Sequence, residues 1–222
     1  MKGIFNYDGW LMQSLSKVAD ALILGLLWLA FCVPVITIGA STAALYYTVH
    51  KVIRKGNGTV LAEFWRAFKS GFKQSTILFL VMAIVGIMIF YSLYYGYTMY
   101  LAGTLEEIYM IVLCAFDFLI VGWLSYLLPY TARFNATTKE ILKNCAAIAF
   151  INIFPTVGVV AIWLVTWFFA FNIPLMLVLM PVFGAWMTTS ILEKVFRKYM
   201  TEEALAEEAA ADDTEEIEKE SK

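Results

Sequence analysis

One acidic residue, Asp117, stands in the middle of a long apolar run, within Cys114-Ala115-Phe116-Asp117-Phe118. A carboxylate at the centre of a hydrocarbon layer costs at least ~2.5–3.5 kcal/mol on insertion scales, so it should face the interior of a helix bundle. The chemistry this permits is a proton or cation site on a transport path. The plainer reading is a single interhelical hydrogen bond to Asn152, a serine or a tyrosine. Asn152-Ile153-Phe154-Pro155-Thr156 is the second candidate, because Pro155 frees a backbone carbonyl beside polar side chains. Broken helices of this kind build substrate sites in transporters. Pro34 and Gly39 interrupt the first apolar run in the same way. For all five residues the competing role is packing.

Other residues carry less. Pro34, Pro155 and Pro181 are expected to kink their helices, and Pro129 and Pro174 to mark helix ends. Cys32, Cys114 and Cys145 match no zinc or disulfide spacing and read as small buried hydrophobes. The sole histidine, His50, has no carboxylate near it in sequence, so it predicts neither a metal site nor a catalytic dyad. Phe90-Tyr91-Ser92-Leu93-Tyr94-Tyr95-Gly96-Tyr97 reads as an interfacial aromatic belt, with a carbohydrate surface as the alternative. There is no G-x-x-x-x-G-K-[ST], H-E-x-x-H or G-x-S-x-G motif. Neither nucleotide hydrolysis nor an intramembrane hydrolase is therefore expected, and the chain is read as non-enzymatic, without a cofactor and without a nucleic-acid partner.

The elements that position these residues are set by composition. Of 222 residues, 61% are hydrophobic and only 15% charged, against ~45–50% and ~25% in an average soluble domain. The apolar residues cluster in Ala19–Thr37, Ser75–Tyr95, Tyr109–Tyr130, Cys145–Phe171 and Ile173–Ile191. About 20 apolar residues cross a ~30 Å hydrocarbon core as a helix, and continuous runs exclude the alternating pattern of a membrane barrel. The first run is too long for the core of a cleaved signal peptide and lacks its small-residue cleavage site.

The fold predicted is therefore an all-α polytopic transmembrane bundle of five to six membrane segments with amphipathic interfacial helices. Residues 1–200 form its single domain, and residues 201–222 an acidic, disordered cytoplasmic tail. The tail from Glu202 carries ten acidic residues and two lysines, a composition that resists burial.

Lysine and arginine gather before the Ser75 run (Lys51 to Lys73), after the Tyr109 run (Arg133, Lys139, Lys143) and after the last run (Lys194, Arg197, Lys198). Ala102–Glu107 and Phe171–Pro174 contain none. Basic loops stay in the cytoplasm, which places the C-terminus inside a cell membrane and, with Lys2 and Lys17, the N-terminus inside too. Five spans with an outside N-terminus is the alternative, because Ser41–His50 is short for a span. It crosses in a thinned or protein-buried position, or forms a re-entrant hairpin. Leu61–Lys73 and, more weakly, Gly3–Ser16 are expected to lie along the surface as amphipathic helices. Thr59 is a candidate helix cap after the Gly56-Asn57-Gly58 turn.

Phe5-Asn6-Tyr7-Asp8-Gly9, Lys17-Val18-Ala19-Asp20, Pro34-Val35-Ile36-Thr37-Ile38-Gly39-Ala40-Ser41-Thr42-Ala43-Ala44 and Phe64-Trp65-Arg66-Ala67-Phe68-Lys69-Ser70-Gly71-Phe72-Lys73 resemble the YesL family, a group of bacterial membrane proteins catalogued as domain of unknown function 624. Its members often lie near sugar ABC-transporter and glycan-degradation genes, so the resemblance implies an accessory role in carbohydrate uptake. It supplies no catalytic residues. The partners expected are the lipid bilayer and, by the resemblance, sugar ABC-transporter subunits or further copies of the chain. Two functions follow: an accessory or structural membrane protein, or a transporter or permease component with a polar site around Asp117 and Asn152. An ABC permease would also carry a Glu-Ala-Ala…Gly coupling loop, which Thr131–Asn144 lacks.

Overall fold

The computed structural model describes residues 6–103, 106–134, 136–173 and 176–200, with side chains from Ser16 onward. The acidic tail and Pro174 lie outside the described residues. Among those residues there are helices and no strands. The helices are α1 (Asn6–Cys32), α2 (Ile38–Thr48), α3 (Val60–Leu101), α4 (Glu107–Arg133), α5 (Thr138–Ile151), α6 (Ile153–Asn172) and α7 (Met176–Phe196).

Four helical segments among the described residues are long and apolar enough to cross a membrane: Val60–Leu101, Glu107–Arg133, Ile153–Asn172 and Met176–Tyr199. The chain is an all-α membrane protein with fewer such spans than the five to six expected. At 11 residues α2 is too short to be a further one.

Local chemistry sets each boundary. The run Cys145–Phe171 is not one helix but breaks at Asn152, whose backbone leaves the helical region (φ −107°, ψ 59°). Pro155 is the cause: its ring would strike the carbonyl of Ile151 and it has no N–H to close that turn. It therefore sits in the first turn of α6, where a missing donor is harmless. Pro129 and Pro181 lie inside α4 and α7; Pro129 does not mark a helix end. Pro34 ends the first run early and caps a 3₁₀ turn, Val35–Thr37, where the Thr37 hydroxyl donates to the carbonyls of Phe31 and Pro34.

Gly56 and Gly58 turn the chain with φ of 69° and 82°, a region L side chains rarely adopt. Thr59 follows at the cap position of α3, but its side chain makes no capping bond.

Helix α3 is 42 residues long, ~63 Å, so the amphipathic segment Leu61–Lys73 and the span after it are one continuous rod. Its apolar stripe divides. Phe64 and Phe68 are buried and meet Phe31 of α1 at ring-centroid distances of 5.7 and 5.0 Å, whereas Leu61 and Trp65 stay exposed. Only part of the stripe thus faces outward, as a surface anchor requires.

α2 is buried along nearly its whole length, Gly39 to Tyr46 and Thr48. Its small residues permit this: a β-carbon at Gly39 would lie 2.4 Å from the Ser75 carbonyl oxygen on α3. Of the cysteines, Cys145 is buried, Cys32 partly so and Cys114 exposed; the reading of Cys114 as a buried residue is corrected. In a membrane span that exposure is toward lipid.

Candidate functional site

Asp117 lies ten residues into α4 and is 6% exposed, with Oδ2 lacking a hydrogen-bond partner. Asn152 is not its partner. The Asn152 amide donates to the carbonyl of Ile148 at 3.0 Å and to the hydroxyl of Tyr199 at 2.8 Å. Thr156 bonds the Asn152 carbonyl at 2.8 Å and shares a hydrogen bond with the Tyr126 hydroxyl at 3.0 Å. Asn152, Pro155 and Thr156 thus form a fastening between α4, the α5–α6 break and the end of α7. Pro34 and Gly39 belong to the α1–α2 turn and the α2–α3 contact. The five candidates are not gathered into one cavity.

A different set is. His50, Arg133 and Glu193 come from three elements and meet at one point. Glu193 Oε1 lies 3.3 Å from His50 Nδ1 and 3.3 Å from Arg133 Nε. The side chains are 13–19% exposed. At such burial a charge needs a partner, because desolvation costs several kcal/mol per ion. His50 is carried on a π-helical turn, Val49–Arg54, that continues α2. This wider winding is uncommon and recurs at functional sites.

Sequence reasoning missed the cluster because the carboxylate of His50 stands 143 positions away. One signal was present: Glu193 is the lone acidic residue beside the basic Lys194, Arg197 and Lys198.

The cluster lines a small cavity of about 100 Å³ with Tyr46, Tyr47 and Pro129. A second cavity of about 560 Å³ shares Tyr46 and Pro129 with it. That larger chamber lies between α1, α2, α3, α4, α6 and α7, with Trp28, Trp163, Trp167 and Met82 on its walls. Pro129 and Pro181, which interrupt the regular ladders of α4 and α7, both line it. Two of its polar wall groups bond within the protein: Trp28 donates to the Thr42 hydroxyl at 3.2 Å, and the Ser125 hydroxyl donates to the Val121 carbonyl at 2.8 Å. What remains is an apolar surface of the size usual for small-ligand pockets, ~300–1,000 Å³. Neither Asp117 nor Asn152 lines either cavity. Among the described residues no group of three or more His, Cys, Asp or Glu is placed to hold a metal.

A second polar cluster sits at the foot of α3. Glu63, 8% exposed, pairs with Lys51 at 3.4 Å and with Arg66, whose guanidinium also donates to the Tyr47 hydroxyl at 2.9 Å. It clamps the Gly56–Thr59 turn to the helix that follows.

Comparison with known proteins agrees with the resemblance read from the motifs. Residues 21–93 match the family described as "Protein of unknown function, DUF624". The chain is 32% identical over 122 residues to the "Uncharacterized protein YteU" of Bacillus subtilis (strain 168), covering 53% of this chain and 54% of that protein. The chain thus spans about half the length of the curated relative it matches. No solved structure matches it.

Proposed function

For this chain of the DUF624 family, we propose a non-enzymatic accessory role in the cell membrane, serving carbohydrate uptake through contact with sugar ABC-transporter subunits. The observation that carries the accessory half is the separation of Asp117 from Asn152. Asn152 bonds to Ile148 and Tyr199, Asp117 lines neither cavity, and the large chamber between the helices has apolar walls. A path for a sugar or ion needs convergent polar groups along it, and the close approach of α2 to α3 is what a packing role requires. The carbohydrate half rests on the gene neighbourhoods of the family alone. In the proposed orientation the basic helix ends and both termini lie in the cytoplasm.

Asp117 keeps a second reading open, a transporter or permease component. Its buried Oδ2 without a partner is what a proton or cation site would present. One experiment separates the two. The purified chain is reconstituted in liposomes and tested against a panel of sugars and ions, wild type beside Asp117→Asn, while tagged protein is isolated from native membranes. The accessory role predicts no uptake by either form and co-isolation of transporter subunits. Uptake that Asp117→Asn abolishes would sink it.

A further inference from the structure

The end of α4, the start of α5 and the end of α7 meet beside Met200, the last described residue. Phe134 and Phe196 pack at a ring-centroid distance of 5.5 Å, and the Met200 sulfur lies 4.0 Å from Arg133 Nη2. Ala136, between α4 and α5, accepts from the Gln74 amide at 2.5 Å, which brings the Lys73 turn of α3 to the same place. A basic rim results. Lys73, Lys139, Lys143, Lys194, Arg197 and Lys198 are all exposed. None of the six pairs with a carboxylate among the described residues. The exposed carboxylate between them, Glu140, is engaged in capping α5.

We propose that this rim is the docking surface of the chain's own acidic tail, residues 201–222. Three observations favour that occupant. First, the charges are complementary: from Glu202 onward the tail carries ten acidic residues against two lysines. Opposed potentials of this kind draw surfaces together and fix their register. Second, the tail begins where the rim is. Thr201 follows Lys198 by three positions, and the chain from Met200 to Asp213 can extend ~40 Å at ~3.3 Å per residue. A helix with its side chains is only ~10–12 Å across, so the acidic residues reach past α7 to α5 and α3. Attachment makes the contact intramolecular, at an effective concentration in the millimolar range.

Third, Leu205 and Ile217 are the only large apolar residues of the tail. It has little with which to enter a bilayer or an apolar groove, and an anionic leaflet repels it. Lipid headgroups are the competing occupant of the same cations. They arrive one charge at a time, whereas the tail brings several on one tethered strand. The inference is independent of the accessory role, since a transporter could carry the same strap.

The test uses the full chain in nanodiscs, spin-labelled at Ser70→Cys, one turn before Lys73, and at Thr214→Cys, in a background lacking Cys32, Cys114 and Cys145. In phosphatidylcholine at low salt the two labels should give a short, narrow distance distribution. At ~1 M salt, where the screening length falls to ~3 Å, it should lengthen and broaden. Asp212→Asn, Asp213→Asn, Glu215→Gln and Glu216→Gln together should release the tail at low salt while the melting of the bundle stays as in wild type. Phosphatidylglycerol as about a third of the lipid should leave the short distance in place. On the wild-type chain, a carbodiimide should link tail carboxylates to Lys139 and Lys143 at low salt and not at high salt. Failure to form those links would overturn the proposal with no variant involved. So would a broad distribution in phosphatidylcholine at low salt, or a short distance that the neutralised tail keeps. Release by phosphatidylglycerol would assign the rim to lipid headgroups and overturn it equally.

Discussion

Thr137 and Glu140 show how much a few atoms settle at the residue scale. The Thr137 hydroxyl accepts from the Glu140 N–H, and the Glu140 carboxylate accepts from the Thr137 N–H at 2.8 Å, a capping box that starts α5. These bonds hold the Glu140 carboxyl below its ordinary pKa, the backbone N–H being the larger cause. A carboxyl whose folded pKa is depressed contributes stability above its unfolded value, near ~4.3, and loses it as pH falls through the folded value. The protection factor of the first α5 amides, with the intrinsic pH dependence of exchange divided out, should therefore be constant at neutral pH and fall below about pH 4. Thr137→Ala should lower that protection at every pH, by the ~1 kcal/mol typical of a lost cap.

Asp117 gives a second prediction at this scale. Asparagine keeps its shape and an acceptor oxygen but not the ionisable proton, so Asp117→Asn should melt in detergent at or above the wild-type temperature. A loss above ~3 kcal/mol would mean that a buried ion pair had been broken. The isolation of Asp117 was readable in the sequence, because one carboxylate in an apolar run stands out. The His50–Glu193–Arg133 cluster was not, since nothing local ties position 50 to position 193.

At the scale of elements, the close approach of α2 to α3 is the contact most sensitive to a single methyl group. A β-carbon at Gly39 would meet the Ser75 carbonyl oxygen at 2.4 Å and the Phe79 β-carbon at 2.5 Å. Neither can swing away, as a flexible side-chain tip would. Gly39→Ala should then cost about 1–3 kcal/mol, the usual range for an overpacked core, and lower the melting temperature. Gly86→Ala is the control. It lies in the same α3 rod that Gly39 packs against, with nothing within 4 Å of its β-carbon, so alanine should be neutral or stabilise by up to ~1 kcal/mol. Equal effects of the two would refute the tight α2–α3 contact.

Helix identity was legible from apolar runs and small residues, and the interruption at Pro34 from its ring. The break at Asn152 was legible only as a kink. Proline alone does not say whether a helix bends or ends, and here the polar partners of Asn152 and Thr156 stabilise the ended form.

For the whole molecule, the number of crossings decides which side each end occupies. If the four candidate helices among the described residues all cross, the chain returns to the side it left, with Val60 and Tyr199 on one face of the membrane. The basic residues around Lys51–Lys73 and those around Lys194–Lys198 then fall on that same face, and the Ala102–Glu107 loop, which has no Lys or Arg, on the other. That agreement between helix count and charge is the argument for a cytoplasmic C-terminus. The side of Lys17 rests on α1 and α2 alone. If the two together make a re-entrant hairpin, Lys17 lies with Tyr199; if α1 alone crosses, it lies opposite.

Single cysteines at Ala102, Lys198 and Lys17, all exposed positions, in a background lacking Cys32, Cys114 and Cys145, read this directly with a membrane-impermeant maleimide on intact cells. Ala102→Cys should react from outside and Lys198→Cys only after permeabilisation. Lys17→Cys should follow Lys198→Cys. The burial of α2 along its length makes the hairpin the expected result: a short helix whose polar groups are covered by protein can turn back within the bilayer, where one facing lipid could not. Labelling of Lys17→Cys from outside would instead make α1 a fifth span and leave α2 as a buried strut on the cytoplasmic half of the bundle.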